Sequence, residues 1–378
     1  MVSHAAGLSV VVLGGTGALG RQVCRAFQDA GARVLVVSRG GPADPADPVE
    51  PPDHIRLDLT RAPAEALAAV LAGAAADVVV NAAGRAGDAT GEQLAAVNSR
   101  LVDTVVEAVA QLERRPRLVQ LGTVEEYGPV CRGVGTTEDL PPLPASPYGR
   151  TKLLGAQTVL RATRAGAVDG TVLRIAQVFG PGAPRGSLLG TVAHHLAVRR
   201  PAALRLGPLD GRWDFVDIRD VATAAVAAAT APRAVGQVVN IGGGQALGVR
   251  RLVERMIVLG GYWVPLVEDP GLGGGPGPGP DWQRVDISRA RLLLGWRPRL
   301  RTARSLRDQL AAAGVPEWGG AFARAVSPPW AAALERAATR EHQTTREHQT
   351  TREHQTTRER QAMRERRGAP GWMAVERP

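Results

Sequence analysis

The feature that most constrains the fold of this chain is an apolar run that leads straight into a glycine-rich turn and then a helix. Residues 8–13 are apolar apart from one serine, and a helical pattern follows the turn as far as Gly31. The turn itself reads Gly14-Gly15-Thr16-Gly17-Ala18-Leu19-Gly20. Glycines at this spacing allow a tight turn, close approach of a pyrophosphate, and packing of helix on strand, with the phosphates at the helix N-terminus. The segment therefore predicts a dinucleotide site.

Strand and helix patterns continue to alternate after this unit, which predicts an α/β fold with a doubly wound, Rossmann-type parallel sheet. Further strands are predicted at 33–37, 55–59, 77–80, 117–121 and 171–175, with a long helix at 90–112. The pattern changes near residue 183. We therefore predict a cofactor-binding domain over 1–182 and a smaller C-terminal substrate-binding lobe over 183–330, with strands near 204–241 rejoining the sheet.

The last segment, residues 331–378, contains three copies of Thr-Arg-Glu-His-Gln-Thr and a degenerate fourth. A period of six residues matches neither 3.5 nor 3.6 residues per turn, so it builds no apolar seam. His342, His348 and His354 would spread around a helix. We predict a polar tail, either disordered or a solvated helix, and no metal site.

The end of the second strand bears on the choice of cofactor. An NAD site usually has an acidic residue here for the ribose 2′-hydroxyl, but this chain has Ser38 and Arg39. A hydroxyl and a guanidinium would bind a 2′-phosphate, so the pair favours NADP over NAD. Alternatively, Arg39 stacks on the adenine or points to solvent.

Two further segments at strand ends complete the predicted cofactor site. Asp58, followed by Leu59, closes the third predicted strand and could accept a hydrogen bond from the adenine amine. The fourth strand leads into Ala82-Ala83-Gly84, whose small side chains allow a flat cofactor to pass.

Tyr148 and Lys152 are the candidates for acid–base chemistry. Lys+Arg total 46, yet Lys152 is the only lysine, and it lies four residues after one of only three tyrosines. On a helix both side chains project from one face. A free phenol has a pKa of about 10, which a neighbouring ammonium lowers. With Thr123 orienting a substrate oxygen, the three residues form a candidate proton-transfer device beside a nicotinamide.

These motifs together resemble the extended short-chain dehydrogenases/reductases of the NAD-dependent epimerase/dehydratase group, over about residues 8–313. The segments that carry the resemblance, besides the glycine-rich turn, are Asn81–Gly84, Thr123 with Tyr127-Gly128, Tyr148 with Lys152, Leu173-Arg174, Asp214–Asp220 and Asn240–Gly242. The resemblance implies a nucleotide-sugar substrate, and a homodimer is an open alternative to a monomer. It also implies that Thr123, Tyr148 and Lys152 are catalytic and that Tyr148 and Lys152 contact the cofactor.

Within this group, the chain is most similar to reductases of nucleotide-linked 4-keto-6-deoxyhexoses. Glu125-Glu126-Tyr127-Gly128 and Asp214–Asp220 resemble the reductases that act on GDP-linked sugars. Glu125, Gln177 and Arg212 are the substrate candidates. Gln177 replaces a frequent Asn, and Trp213 replaces an Arg that usually clamps the diphosphate, although Arg212 is adjacent.

Three other functions remain open. A nucleotide-sugar 4-epimerase would hold NAD tightly and return the hydride to the other face of the sugar. A dehydratase is disfavoured because Thr123-Val124-Glu125 lacks the Asp that such enzymes use as an acid, although Glu125 keeps one of their residues. A non-catalytic regulator that binds NAD(P) would not need Thr123, Tyr148 and Lys152 together.

Composition excludes other classes of function. The net charge is +10, but the arginines are scattered and no nucleic-acid-binding motif accompanies them. No apolar run approaches the roughly 18 residues of a membrane span, and no signal-peptide pattern opens the chain. With only two cysteines, the chain has no disulfide framework or metal-binding spacing. We therefore expect a cytoplasmic protein with no nucleic-acid or membrane partner and no metal.

Overall fold

The computed structural model describes residues 5–40, 53–87, 89–198, 203–262, 264–270 and 281–316. The predicted repeat tail lies outside these residues. The predicted domain boundaries and the homodimer stay predictions.

Twelve strands form three sheets within the described residues. In chain order they are β1 (Ser9–Leu13), β2 (Arg33–Ser38), β3 (Asp53–Arg56), β4 (Val78–Asn81), β5 (Arg117–Thr123), β6 (Asp169–Ile175), β7 (Gln177–Phe179), β8 (Leu204–Leu206), β9 (Arg212–Asp217), β10 (Val238–Ile241), β11 (Ala246–Gly248) and β12 (Leu266–Glu268). The main sheet has seven strands in the order β10-β6-β5-β4-β1-β2-β3, and every pair in it is parallel. This arrangement confirms the predicted doubly wound fold.

Ten α-helices accompany the strands in the part of the chain that the structure describes. They are α1 (Ala18–Asp29), α2 (Ala64–Gly73), α3 (Gly91–Ala95), α4 (Leu101–Ala110), α5 (Pro147–Arg164), α6 (Leu188–Val198), α7 (Ile218–Thr230), α8 (Val249–Leu259), α9 (Ser288–Leu294) and α10 (Thr302–Ala312). A π-helical segment over Ala96–Arg100 joins α3 to α4, so the helix predicted at 90–112 is continuous. Its buried Asn98 bonds both backbone groups of Arg85, as expected of a structural residue.

The main sheet is covered on both faces because its valine-rich strands alternate their side chains between two apolar layers. Val10, Val12 and Val36 pack with α1 and α7 on one face. Val11 and Leu13 pack with α2, α4 and α5 on the other. The strand order reverses between β1 and β4, so the crevice at their carboxyl ends is where such a sheet binds ligands.

The remaining strands form two small sheets outside the main one, called the smaller lobe below. Of the strands predicted near 204–241 to rejoin the main sheet, β10 does so, whereas β8 and β9 lie in the small sheets. The strands β11, β9 and β7 form one sheet, β12 and β8 form another, and a third apolar cluster lies among them with α6, α8 and α10. The chain connection from the main sheet to this lobe is short, because β7 begins two residues after the end of β6.

The third strand lies earlier than the sequence pattern predicted. It runs over Asp53–Arg56 rather than 55–59, because Asp58 starts a turn in which its carboxylate accepts the Thr60 amide and hydroxyl hydrogens. Asp58 therefore follows the strand instead of belonging to it. None of the described helices is long and apolar enough to cross a membrane.

Candidate active site

The glycine-rich turn is packed so closely that larger residues would collide with backbone. Gly14 has a φ of +75°, and a Cβ at this position would lie 2.8 Å from the Ala83 backbone. A Cβ on Gly20 would lie 2.2 Å from the Gly14 carbonyl oxygen. The turn after β1 therefore touches both the start of α1, as the glycine spacing predicted, and the small-residue exit of β4, which the spacing did not indicate.

The first turn of α1 has the character of an anion site. Within this described segment, Gly17 supplies no capping side chain and the first turn holds no acidic residue. The N–H groups at a helix start carry a partial positive charge and favour a phosphate. Beside them, the Asn81 side-chain oxygen accepts the Ala83 amide hydrogen and shapes the adjoining turn. These residues fit a dinucleotide.

The end of β2 gains a residue that the sequence pattern did not reveal. Ser38 is buried, and its hydroxyl lies 2.9 Å from Nε2 of His54 on β3. Arg39 is exposed next to them. The pKa of the Asp58 carboxyl is lowered, first by the Thr60 hydrogen bond and also by the charge of Arg39. His54 was missed because only the parallel pairing of β2 with β3 brings it to Ser38.

The three catalytic candidates meet at the carboxyl end of β5. Thr123 ends this strand and is hydrogen-bonded to Tyr148 in the first turn of α5. Lys152, one turn further along α5, is buried and donates from Nζ to the Leu121 carbonyl oxygen at 2.5 Å. A Cβ built on Gly84 would lie 3.9 Å from the same Nζ. The amine therefore lies between β5 and the predicted cofactor path.

Local signals explain why α5 begins where it does. Ser146 caps the helix by accepting the Gly149 amide hydrogen at 2.9 Å, and Pro147 occupies the first helical position. A Cβ on Gly149 would lie 2.6 Å from the Glu125 carbonyl oxygen, so a glycine is needed for the helix to approach the end of β5. The Ser146 hydroxyl also donates to the Glu125 carboxylate at 2.9 Å.

Burial dominates the electrostatics of this cluster. It raises the pKa of Tyr148, to which the charges of Glu125 and Glu126 add, while the Thr123 hydrogen bond opposes them. It lowers the pKa of Lys152, against the attraction of Glu126. It also raises the pKa of Glu125. The pKa of Tyr148 therefore lies above its ordinary value, contrary to the lowering predicted from the neighbouring ammonium, because burial is the largest influence. The phenol is protonated at neutral pH, as a proton donor must be.

A buried ion pair beneath the cluster was also missed. Glu126 is fully buried, accepts the Thr123 amide hydrogen at 2.9 Å and pairs with Arg174 Nε at 2.7 Å. Arg174 in turn lies 4.4 Å above the ring centre of Tyr127, whose hydroxyl donates to Asn240. Sequence spacing gave no signal for a pair 48 residues apart.

The structure separates the three substrate candidates. Glu125 is next to the catalytic cluster, and Gln177 starts β7 two residues after Ile175, which pairs with Thr123. Arg212 begins β9, three residues before the partner of Gln177, which corresponds to roughly 10 Å along the strand. Its guanidinium donates to the Ala246 carbonyl oxygen at 2.9 Å. Glu125 and Gln177 thus lie near the carboxyl end of β5, and Arg212 is separated from the level of Gln177 along β9.

No metal-binding cluster of three or more His, Cys, Asp or Glu side chains occurs among the residues that the structure describes. The groups that the described residues place beside the glycine-rich turn and the exit of β4 include a phenol, an ammonium, a hydroxyl and a carboxyl group.

Comparison with known proteins agrees with this geometry. A model of the family described as "NAD dependent epimerase/dehydratase family" matches residues 10–242. The dTDP-6-deoxy-L-talose 4-dehydrogenase (NAD(P)(+)) of Kitasatospora kifunensis is 40% identical over 309 residues, which is 81% of this chain and 95% of that protein.

Two solved structures have the same fold. A putative epimerase from Burkholderia cenocepacia J2315 has a TM-score of 0.72 and 26% identity over 82% of this chain and 100% of its own. The structure of RMD from Pseudomonas aeruginosa complexed with NADPH has a TM-score of 0.68 over 82% of this chain and 100% of its own. Its 20% identity shows a shared fold alone.

Proposed function

The chain belongs to the NAD dependent epimerase/dehydratase family, and from that premise we propose that it reduces the 4-keto group of a nucleotide-linked 4-keto-6-deoxyhexose with NAD(P)H. The observation that carries the proposal is the meeting of Thr123, Tyr148 and Lys152 at the carboxyl end of β5. A ketone reduction needs a proton donor at the oxygen, and the raised pKa of Tyr148 keeps its phenol protonated.

Each residue of the cluster has a distinct part in this proposal. A reduced nicotinamide held beside the glycine-rich turn would supply the hydride that the C4 carbon of the sugar accepts. Tyr148 donates its proton to the C4 oxygen, so the ketone becomes a hydroxyl group and the phenolate is reprotonated from water. Thr123 donates a hydrogen bond to the same oxygen and orients it. Lys152 stabilises the phenolate by its charge and holds the nicotinamide ribose.

The relative from Kitasatospora kifunensis supports the position of attack and the nucleotide. Its name describes a dehydrogenase at position 4 of a dTDP-linked 6-deoxy sugar. Read in reverse, that reaction is the reduction of a dTDP-linked 4-keto-6-deoxyhexose. We therefore propose a dTDP-linked ketosugar as substrate, in deoxysugar biosynthesis, with the GDP-linked compound as the alternative. Glu125 and Gln177 are the residues proposed to contact the sugar, and Arg212 the nucleotide end.

The surroundings of the β2 end support NADPH as the preferred cofactor. Ser38 and Arg39 offer a hydroxyl and a guanidinium, and His54 adds a ring nitrogen 2.9 Å from the Ser38 hydroxyl. A 2′-phosphate can accept hydrogen bonds from the Ser38 hydroxyl and the Arg39 guanidinium, and the His54 ring nitrogen can orient that hydroxyl, whereas a ribose hydroxyl needs fewer donors. We propose that this trio selects NADPH over NADH.

A 4-epimerase with tightly bound NAD is the second candidate, and the likeness to a putative epimerase is the observation that favours it. The two functions differ in redox balance. A reductase consumes one reduced cofactor per product, whereas an epimerase recovers its cofactor in every cycle.

The proposal is tested by mixing the purified protein with NADPH or NADH and a freshly prepared 4-keto-6-deoxy sugar nucleotide. We expect the near-ultraviolet absorbance of NADPH to fall, faster with the dTDP-linked than with the GDP-linked ketosugar and faster than with NADH. If neither ketosugar causes consumption of either cofactor, the reductase assignment is wrong. Consumption with the GDP-linked compound alone would keep the reaction and reject the proposed nucleotide.

A further inference from the structure

Glu126 is a buried carboxylate that the reaction as proposed does not use. It is 0% exposed and directly follows Glu125 at the end of β5. One carboxylate oxygen accepts the Thr123 amide hydrogen at 2.9 Å, and the other accepts the Arg174 Nε hydrogen at 2.7 Å. Both oxygens thus have partners that differ in kind: a backbone amide of a catalytic candidate and a buried guanidinium.

The backbone around Glu126 is shaped to admit its carboxylate. A Cβ built on Gly122 would lie 2.5 Å from Oε1 of Glu126, so any larger residue there would displace the acid. Thr123 and Glu126 also form a reciprocal capping pair, in which the Thr123 side chain accepts a backbone hydrogen of the following turn. The position of the Thr123 hydroxyl therefore depends on the Glu126 carboxylate.

Glu126 is also a charge close to both members of the proton-transfer pair. Its charge favours the protonated forms of Tyr148 and of Lys152. The other charged or titratable groups that act on this pair or contact Glu126 are Glu125, on the same turn and also favouring protonated Tyr148, and Arg174 on β6. Arg174 is itself flanked by the Tyr127 ring.

We propose that Glu126, paired with Arg174, is a positioning residue that fixes Thr123 and keeps both protons on the Tyr148–Lys152 pair. The proposal rests on the proposed reductase function, because that reaction needs a protonated phenol and a charged amine at the same time. Removing a neighbouring anion makes the first proton loss from this pair easier, whichever of the two groups loses it. The alkaline limit of ketone reduction therefore reports on Glu126.

The kinetic test compares pH profiles of kcat for three variants with the wild type. In Glu126→Gln the Thr123 contact is retained but the charge is lost, and we expect the alkaline limb to move down by about one pH unit. In Glu126→Asp the charge remains but the shorter side chain cannot reach both partners. We expect kcat to fall there with the limb unmoved. The KM for NADPH should stay unchanged in both, because Glu126 does not contact the cofactor cradle.

The Glu126→Gln substitution leaves the buried Arg174 guanidinium without a charged partner, and an unpaired buried charge destabilises the folded state. The double variant Glu126→Gln/Arg174→Gln removes both charges and lets the two amides bond each other. We expect its alkaline limb to lie between those of the wild type and Glu126→Gln. If the limbs of all variants coincide with that of the wild type, Glu126 has only a structural role and the proposal is wrong.

A second readout needs no substrate, because Lys152 is the only lysine in the chain. Isotope-labelled lysine gives one side-chain NMR signal, so the ionisation of Lys152 can be followed directly. In a Tyr148→Phe background the amine titrates alone, and adding Glu126→Gln should lower its midpoint by about one unit. Equal midpoints would overturn the inference even if the enzyme is a reductase. A lowered midpoint in a protein that reduces no ketosugar would keep the charge effect and reject only the proposed reaction.

Discussion

The cofactor side and the proton-transfer side of the crevice are formed by different kinds of chemical group. On the cofactor side, the turn after β1 and the exit of β4 are made of backbone and small residues, with Gly14 and Gly20 in contact with neighbouring backbone. On the proton-transfer side, the end of β5 rests on a buried carboxylate, Glu126, and a buried guanidinium, Arg174. Only the second side depends on buried charges.

This difference follows from the task of each side. A dinucleotide brings its own charge, so its cradle needs only N–H groups and room for close approach. A proton donor must hold a specified protonation state, and buried charges are the means of shifting it. The smaller lobe also contains a buried carboxyl group, that of Asp214, which accepts the amide hydrogens of Gly243, Gly244 and Val285.

The largest effect is expected from a substitution that removes the function of the proton-transfer side and leaves the cofactor side intact. Tyr148→Phe removes the proton donor and should lower kcat for ketone reduction by about 10³-fold. NADPH affinity, measured by fluorescence titration, should be unchanged because the glycine-rich cradle is intact. Tyr262→Phe is the matched control and should leave kcat unchanged. Reduction by Tyr148→Phe at the wild-type rate would refute the assignment of the acid.

The next largest effect is expected from a substitution that distorts the cofactor side and leaves the proton-transfer side intact. Gly20→Ala places a Cβ 2.2 Å from the Gly14 carbonyl oxygen, so the turn must open. We expect a loss of about 3 kcal/mol in the free energy of unfolding, measured by urea denaturation, and weaker NADPH binding. Gly73→Ala is the control, because a Cβ there has nothing within 4 Å, and it should not destabilise the protein. Wild-type stability in Gly20→Ala would show that the turn is looser than described.

These two sides also differ in how far sequence reasoning reached. The glycine spacing, the valine-rich strands and the Tyr148–Lys152 register are local patterns, and they predicted the fold and the candidate cluster. His54 and Arg174 reach their partners only through strand pairing, across 16 and 48 residues respectively. No local pattern encodes such a contact, so the support of Ser38 and Thr123 could not be predicted from spacing.

A smaller effect concerns the pH dependence of stability, which depends on the buried Asp214 carboxyl group of the smaller lobe. Burial raises the pKa of Asp214 to about 7, well above its usual value. The folded chain therefore favours the protonated form of Asp214. This preference contributes fully to the free energy of unfolding below the ordinary pKa of 3.8, and the contribution is lost as the pH rises through about 7. We expect the free energy of unfolding to fall by about 2 kcal/mol between about pH 5 and about pH 8.

Asp214→Asn should remove this pH dependence while lowering stability at every pH, since the amide cannot accept all three hydrogens. Asp29→Asn, on the exposed surface of α1, should keep the wild-type dependence. If the Asp214→Asn protein retains the slope, another group is responsible for it.

The smallest effect tests the choice of cofactor at the end of β2. Ser38→Asp puts a carboxylate where a 2′-phosphate is proposed to bind, and NADPH affinity should fall about tenfold while NADH affinity holds or rises. His54→Gln should weaken NADPH binding by less, because the amide can still donate a hydrogen bond. Equal losses for NADPH and NADH in Ser38→Asp would indicate a general disturbance of the strand and reject the proposed selection.

In the proposed reaction, C4 of a ketosugar receives a hydride that stays in the product, and the C4 oxygen receives a proton. The most direct measurement uses NADPH deuterated on the transferred position, with the product sugar nucleotide analysed by mass spectrometry and NMR. We expect one deuterium at C4 of the sugar for each NADP⁺ formed, and no transfer in Tyr148→Phe. Two results together would contradict the reductase assignment and identify an epimerase: no deuterium transfer to the ketosugar, and conversion of a sugar nucleotide with a C4 hydroxyl into its C4 epimer with no net cofactor oxidation.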